Sequence, residues 1–270
     1  MTRPAMSMGR LAICLALALG WLATARIVIG ESEFVSPDRW AARLSLEFLL
    51  SGPAWAVLSL ALLTFLTLFA RRIHEAFSGA TACVLIGLGT LVERGLQVDP
   101  SPPGFGKMLP AAVVIAWLCG WIAWRSLPLA EREARSHELA CGVAAACLIA
   151  PGISKLLASG LTWTDGQAHA LLIYERSYLA RLDWITALRT WIGSSAFLSE
   201  LGATYVLAVE CGGVLFLFPA LRKLYVIAAT LMVLGIALLL GFHAGTWLLV
   251  LFSLTWSSPG EPRKDRRNTG

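Results

Sequence analysis

The stretch Leu224–Phe242 decides the fold class, because LYVIAATLMVLGIALLLGF contains no charged residue over its 19 positions. A helix of about 20 apolar residues crosses the hydrocarbon core of a bilayer. This stretch therefore predicts a membrane-spanning helix. Seven further apolar runs accompany it, namely Leu11–Ile29, Phe48–Ala70, Phe77–Val92, Met108–Trp124, Leu139–Leu161, Ser195–Phe218 and Ala244–Trp256.

The composition of the whole chain agrees with this prediction. Of its 270 residues, 57% are hydrophobic and 14% are charged, whereas soluble domains have about 25% charged residues. The mean hydropathy is +0.70. These values exclude a disordered chain, a fibrous repeat and a soluble DNA-binding domain, and they argue against a soluble enzyme. We predict an all-α polytopic membrane helix bundle of about eight transmembrane helices.

Two of the eight runs allow a second interpretation. Ala244–Trp256 is short and almost continuous with the preceding run, so it also fits half a span or a re-entrant segment, with Gly241 and Gly245 permitting a turn between the two. In the first run, Ala23-Thr24-Ala25 resembles the cleavage site of a signal peptide. The apolar residues Ile27–Ile29 continue that run and favour a span.

The basic residues predict the orientation. With the N-terminus inside, the inner segments carry 13 Lys and Arg residues and the outer segments carry 7, which places both termini in the cytoplasm. This placement also accounts for the net charge of +5 without a nucleic-acid partner. We assign residues 1–256 to a single transmembrane domain in a bacterial cytoplasmic membrane and residues 257–270 to a disordered tail.

The cysteines and the aromatic residues of the longest outer segment have simple interpretations. All six cysteines lie in apolar runs without metal-ligand spacing, so we predict neither a disulfide nor a metal site. The outer segment Thr162–Ser194 is rich in Trp and Tyr, which suits a pair of helices at the membrane–water interface.

Ionisable residues inside the spans are the candidates for function, because each costs about 2.5–3.5 kcal/mol to insert. The outer half of the membrane is predicted to hold five of them, and Glu210 lies nearer the middle. The pattern predicts an outward-facing polar cavity centred on Lys155, whose desolvated amine can act as a base or nucleophile. In the alternative, Lys155 and Arg26 pair with Glu200 and Glu93 and only join helices. The five outer residues are Arg26, Glu93, Lys155, Glu200 and His243.

From these observations we select two sets of candidate residues. Each candidate also fits a structural or interfacial role. The catalytic candidates are Lys155, Glu200, Glu210 and His243. The substrate-binding candidates are Trp163, Asp165, His169 and Arg26.

Two motifs carry a resemblance to a known family. The run Gly152–Leu156 followed by Trp163–Gly166 resembles the G-x-x-K-L … W-x-x-G stretch of the vitamin K-dependent gamma-carboxylase-like membrane proteins, also called HTTM-domain proteins. Glu210, followed by an apolar run and Arg222, is similar to the next span of that family. The resemblance covers about residues 139–256. The pattern also resembles the smaller DoxX and MauE membrane proteins.

The resemblance implies a cofactor and a role for Lys155. In the carboxylase, a reduced quinone reacts with oxygen, and a lysine at the matching position deprotonates it. The resemblance thus implies a reduced quinone of the vitamin K or menaquinone type, with a peptide or a small molecule as substrate.

Three functions remain open from the sequence. The first is a quinol-dependent oxidase, epoxidase or carboxylase-like enzyme that uses Lys155 as base. The second is a non-catalytic DoxX- or MauE-like partner in redox maturation, or in peptide export or immunity. The third is a transporter, although no inverted repeat supports it.

Overall fold

A computed structural model of the protein describes residues 8–31, 51–96, 105–178, 182–241 and 245–256, all of them in helices or in the short turns between them. Within these residues two short 3-10 helices, Gly160–Asp165 and Gly212–Leu217, directly follow the α-helices Leu129–Ser159 and Ala196–Cys211. The described ranges contain ten α-helices: α1 Met8–Glu31, α2 Gly52–Ala70, α3 Glu75–Leu96, α4 Phe105–Ala123, α5 Leu129–Ser159, α6 Gln167–Ser177, α7 Asp183–Ser194, α8 Ala196–Cys211, α9 Pro219–Leu240 and α10 Gly245–Trp256.

Successive long helices run in opposite directions. Near the start of α1, Arg10 lies over the Phe69 ring at the end of α2. Near the end of α1, Trp21 packs on Trp55 at the start of α2, with ring centroids 4.6 Å apart. The pairs α3–α4, α4–α5 and α8–α9 cross in the same antiparallel sense. The result is an up-and-down bundle.

The chain has the helices that a membrane protein requires. Five are long and apolar enough to span a membrane, namely α2, α3, α5 with its 3-10 extension, α8 with its 3-10 extension, and α9. Shorter apolar stretches occupy α1, α4 and α10. Within the described residues each of the eight predicted apolar runs coincides with one of these helices. The all-α class is thus confirmed, and the apolar helices are compatible with a membrane protein.

The start of α5 was predicted wrongly. The apolar run begins at Leu139, but the helix begins ten residues earlier at Leu129, directly after Pro128. Its first turns are charged, and a criterion based on apolar length does not detect them. His137 therefore lies on a helix and is buried, with Nε2 3.5 Å from the Cys141 Sγ.

The segment 162–194 contains a pair of helices, α6 and α7, as predicted, and their position at a membrane interface stays a prediction. The two pack antiparallel, and Gly193 of α7 lies against the backbone of Ala170 on α6. At the end of α9, Gly241 adopts a left-handed conformation with φ of 73°, which ends the helix as the predicted turn requires.

Candidate functional site

The candidate site lies where α5 and α8 pack closely. A Cβ added at Gly152 of α5 would lie 2.9 Å from the Glu210 Cβ and 3.0 Å from the Cys211 backbone nitrogen. One helix turn earlier on α5, Ile149 contacts Gly213 at the start of the second 3-10 helix. Small residues on both sides thus allow the two backbones to approach without intervening side chains.

Lys155 and Glu210 form an ion pair at this crossing. The Lys155 Nζ donates to both carboxylate oxygens of Glu210, at 2.5 Å to Oε1 and 2.6 Å to Oε2. The Glu210 side chain is 8% exposed and the Lys155 side chain is 21% exposed. The pair is therefore largely withdrawn from the surroundings, and about a fifth of the lysine side chain stays exposed.

Trp163 covers the lysine. α5 ends at Gly160, whose φ of 58° redirects the chain into the 3-10 helix that carries Trp163. The Lys155 Nζ lies 5.3 Å from the centroid of the Trp163 ring, which is the geometry of a cation–π contact. The indole nitrogen is buried and finds no hydrogen-bond partner within the described ranges of the chain.

The segment after Trp163 is fixed against α8. Gly166 has φ of 77°, and a Cβ there would lie 2.5 Å from the Glu200 backbone nitrogen. Asp165 is exposed, and its carboxylate accepts a hydrogen bond from the Gln167 backbone N–H at 2.9 Å. In this structure Asp165 thus stabilises the start of α6.

His169 lies on α6 beside the same part of α8. Its side chain is buried, and a Cβ added at Gly202 would lie 2.6 Å from its Cε1 atom. Burial lowers the pKa of His169 from its ordinary value of 6.5; the Ser199 carbonyl opposes this shift and the positive charge of Lys155 adds to it. The imidazole is therefore uncharged at neutral pH.

The alternative pairing of Lys155 with Glu200 was wrong, because Glu200 is exposed on α8. The prediction placed Lys155 and Glu200 at equal depth because it assumed that the outer ends of α5 and α8 lie at the same level. In the structure Gly166 is level with Glu200, so Lys155 lies deeper. Side chains tilt toward the N-terminus of their own helix, so on antiparallel helices the side chains of Lys155 and Glu210 lean toward each other.

Three other charged or titratable candidates cannot be placed at the site. The backbone of Arg26 lies on α1 and that of Glu93 on α3, but their side chains lie outside the described part of the structure. His243 falls in the gap between α9 and α10, also outside the described residues. Their roles remain predictions.

Arg189 is a buried residue that the sequence analysis did not single out. Its guanidinium donates to the Leu238 carbonyl at 2.8 Å and 3.0 Å and to the Arg176 carbonyl at 2.5 Å. It thus connects the ends of α6 and α9 through α7. The sequence did contain a signal, because Arg189 is a basic residue in a segment rich in aromatic residues. The sequence analysis counted Arg189 only among the basic residues of the outer segments.

The structure shows two further features that bear on chemistry. All six cysteines lie on described helices and are free thiols. Over the described ranges, no three His, Cys, Asp or Glu side chains gather closely enough to hold a metal ion. The polar groups that meet at the site are thus the Lys155 amine, the Glu210 carboxylate and the Trp163 indole.

In comparisons with protein families, curated proteins and solved structures, no match to this chain was found.

Proposed function

We propose that this chain is an integral membrane protein of a bacterial cytoplasmic membrane, with eight spans and both termini inside. Eight apolar helices in an up-and-down arrangement support the proposal. So do four arginines at the ends that this topology places on the inner side: Arg10, Arg132 and Arg222, which are buried or half-buried near helix starts, and Arg72, which is exposed in the turn after α2. Two of them pair with carboxylates, Arg10 with Glu75 and Arg72 with Glu133.

We further propose that the Lys155–Glu210 pair accepts a proton from an acidic hydroxyl of a membrane-soluble substrate. One observation carries this proposal: both Glu210 oxygens lie within 2.6 Å of the amine, while 21% of the Lys155 side chain is exposed. A buried acid–base pair that can still be reached is a common feature of proton-transfer sites.

The protonation states of the Lys155–Glu210 pair determine its charge. The pair holds one exchangeable proton between nitrogen and carboxylate, and its net charge is zero wherever that proton lies. Accepting a second proton gives an ammonium beside a neutral carboxylic acid, and the pair then carries one positive charge. The hydroxyl that loses its proton becomes an anion, which the positive charge stabilises because the surroundings have a low dielectric constant.

The residues at this site fit a reduced quinone. Trp163 offers an aromatic face, its unpartnered indole N–H can donate to an oxygen, and Lys155 with Glu210 can accept the proton. When bound, a reduced quinone would supply the acidic hydroxyl and two electrons. The chain's own residues would orient the ring and hold the accepted proton on the Lys155–Glu210 pair.

A second candidate is a non-catalytic membrane component of the DoxX or MauE kind. It is favoured by the engagement of both Glu210 oxygens and by the close packing at Gly152, because both features also suit an ion pair that only joins two helices. In this case the pair has a structural role and takes no part in turnover.

The test is quinol turnover by purified protein in nanodiscs. Reduced vitamin K and menaquinone would be supplied with oxygen and bicarbonate, and quinone epoxide would be measured by mass spectrometry. We expect epoxide from the wild type and a loss of at least about 100-fold in Lys155→Met, the range typical of a general base.

Lys223→Met is the matched control, because Lys223 is an exposed lysine at the start of α9. It should retain the wild-type rate. Folded wild-type protein that forms no epoxide with either quinol, or a Lys155→Met variant that is as active as the wild type, would refute the enzyme proposal. Either result would leave the structural role of the pair.

A further inference from the structure

A cavity of about 410 Å³ lies between α7 and α8, and it does not contain Lys155 or Glu210. Its walls include Trp191, Ile192, Leu198 and Leu201. Leu201 and Glu210 are nine residues apart on α8, and at about 100° per residue they lie on opposite faces of that helix. The cavity is therefore separate from the proton-transfer site.

One polar atom of the cavity lining, the Nδ1 of His169, lacks a partner among the described residues. His169 is 9% exposed, it lines the cavity, and its Nδ1 atom is buried with no hydrogen bond to any residue in the described part of the chain. Gly202 leaves the space that the imidazole ring occupies. Buried polar atoms in folded proteins almost always have a partner, so this nitrogen indicates a ligand group.

The surroundings of His169 define the ligand chemistry. The other polar side chain of the cavity is Tyr205, whose hydroxyl donates to the Ala228 carbonyl, and the remaining lining is apolar. This calls for a hydrocarbon body and a single polar group. The imidazole is uncharged at neutral pH, so it offers no ion pair to a carboxylate. A hydroxyl can both donate and accept, and it therefore satisfies Nδ1 in either tautomer.

We propose that the cavity between α7 and α8 binds a long-chain, uncharged alcohol of the lipid class, with its hydroxyl hydrogen-bonded to the His169 Nδ1. This binding site goes beyond the proposed proton transfer and does not require it. It requires only that the outer ends of α7 and α8 contact the bilayer, from which such a molecule would enter.

The experiment uses two probes on the full-length protein in nanodiscs. One is a C12 alcohol that carries a diazirine, and the other is the matching alkane diazirine without the hydroxyl. After irradiation, labelled peptides are mapped by mass spectrometry. We expect the alcohol to label residues 184–205 about five- to tenfold more than the alkane, the ratio that one buried hydrogen bond provides.

Two variants test the two parts of the site. His169→Phe keeps the ring shape and should reduce labelling by the alcohol to that of the alkane. Leu198→Trp should fill the cavity and abolish labelling by both probes. Leu224→Trp is the control, because Leu224 is an exposed apolar residue on α9, and it should change neither signal. Monodisperse elution and an unchanged Tm establish that each variant is folded.

Two outcomes would overturn the proposal. Equal labelling by alcohol and alkane would show that His169 recognises no hydroxyl, and labelling spread over all membrane-facing helices would show that no site exists. Lys155→Met distinguishes this proposal from the preceding one, since it should stop quinol turnover and leave the labelling intact. Loss of labelling in Lys155→Met would contradict a separate site.

Discussion

At the scale of single residues, burying the Lys155–Glu210 pair costs free energy, and removing one partner from the buried pair costs more. Two charges lose solvation on burial, and their mutual attraction compensates only while both partners are present. We expect Lys155→Met to lower the free energy of unfolding by about 3–5 kcal/mol, because it leaves the Glu210 carboxylate unpaired. The double variant Lys155→Met/Glu210→Met should recover most of this loss.

The measurement is equilibrium unfolding in mixed micelles, with Lys223→Met as the exposed-lysine control. A double variant as unstable as the single variant would mean that the pair contributes net stability, as in the structural hypothesis. If the double variant is stable but inactive, stability and turnover are separated, and the pair is retained for chemistry.

At the scale of helices, two glycines of α5 make opposite predictions. A Cβ at Gly152 would meet Glu210 and Cys211 at about 3 Å, whereas a Cβ at Gly142 would meet nothing within 4 Å. Gly152→Ala should force α5 away from α8 and cost about 1–3 kcal/mol. Gly142→Ala should be neutral or stabilise the protein by up to about 1 kcal/mol, since alanine favours helix.

Thermal unfolding of both variants provides the comparison. If Gly152→Ala had the same Tm as Gly142→Ala, α5 and α8 could separate without a loss of stability. The close crossing of the two helices would then not be the cause of the Lys155–Glu210 contact. Quinol turnover should fall with Gly152→Ala and stay unchanged with Gly142→Ala.

The same two helices show what the sequence could and could not predict. Apolar length located every long helix, because the hydrocarbon thickness sets that length. It missed the first turns of α5, where Pro128 starts a helix whose charged residues lie outside the apolar run. Apolar length also could not predict the register between α5 and α8. Close contacts at Gly152 and Gly166 set that register, and the length of an apolar run carries no information on such contacts.

At the scale of the whole molecule, the up-and-down bundle predicts which ends share a side of the membrane. Glu131 at the start of α5 and Glu175 on α6 are both exposed, and they lie toward opposite ends of the bundle. With Glu175→Cys, a membrane-impermeant maleimide should label intact spheroplasts. With Glu131→Cys, it should label only inverted vesicles.

The unmodified protein supplies the background signal of its six native cysteines, of which Cys119 is exposed. Reversed labelling would place both termini outside and would overturn the orientation inferred from the basic residues. Labelling of both variants from one side would contradict the alternating direction of the helices.

The connection made by Arg189 has a consequence for the order in which the protein is built. Its partner carbonyl at Leu238 lies 49 residues later in the chain. At the usual synthesis rate of about 5–20 residues per second, the ribosome needs about 2–10 s to supply that partner. During this interval the guanidinium of a newly made α7 has, of these two partners, only the Arg176 carbonyl. We therefore expect the packing of α6 and α7 to be completed only when α9 has been made.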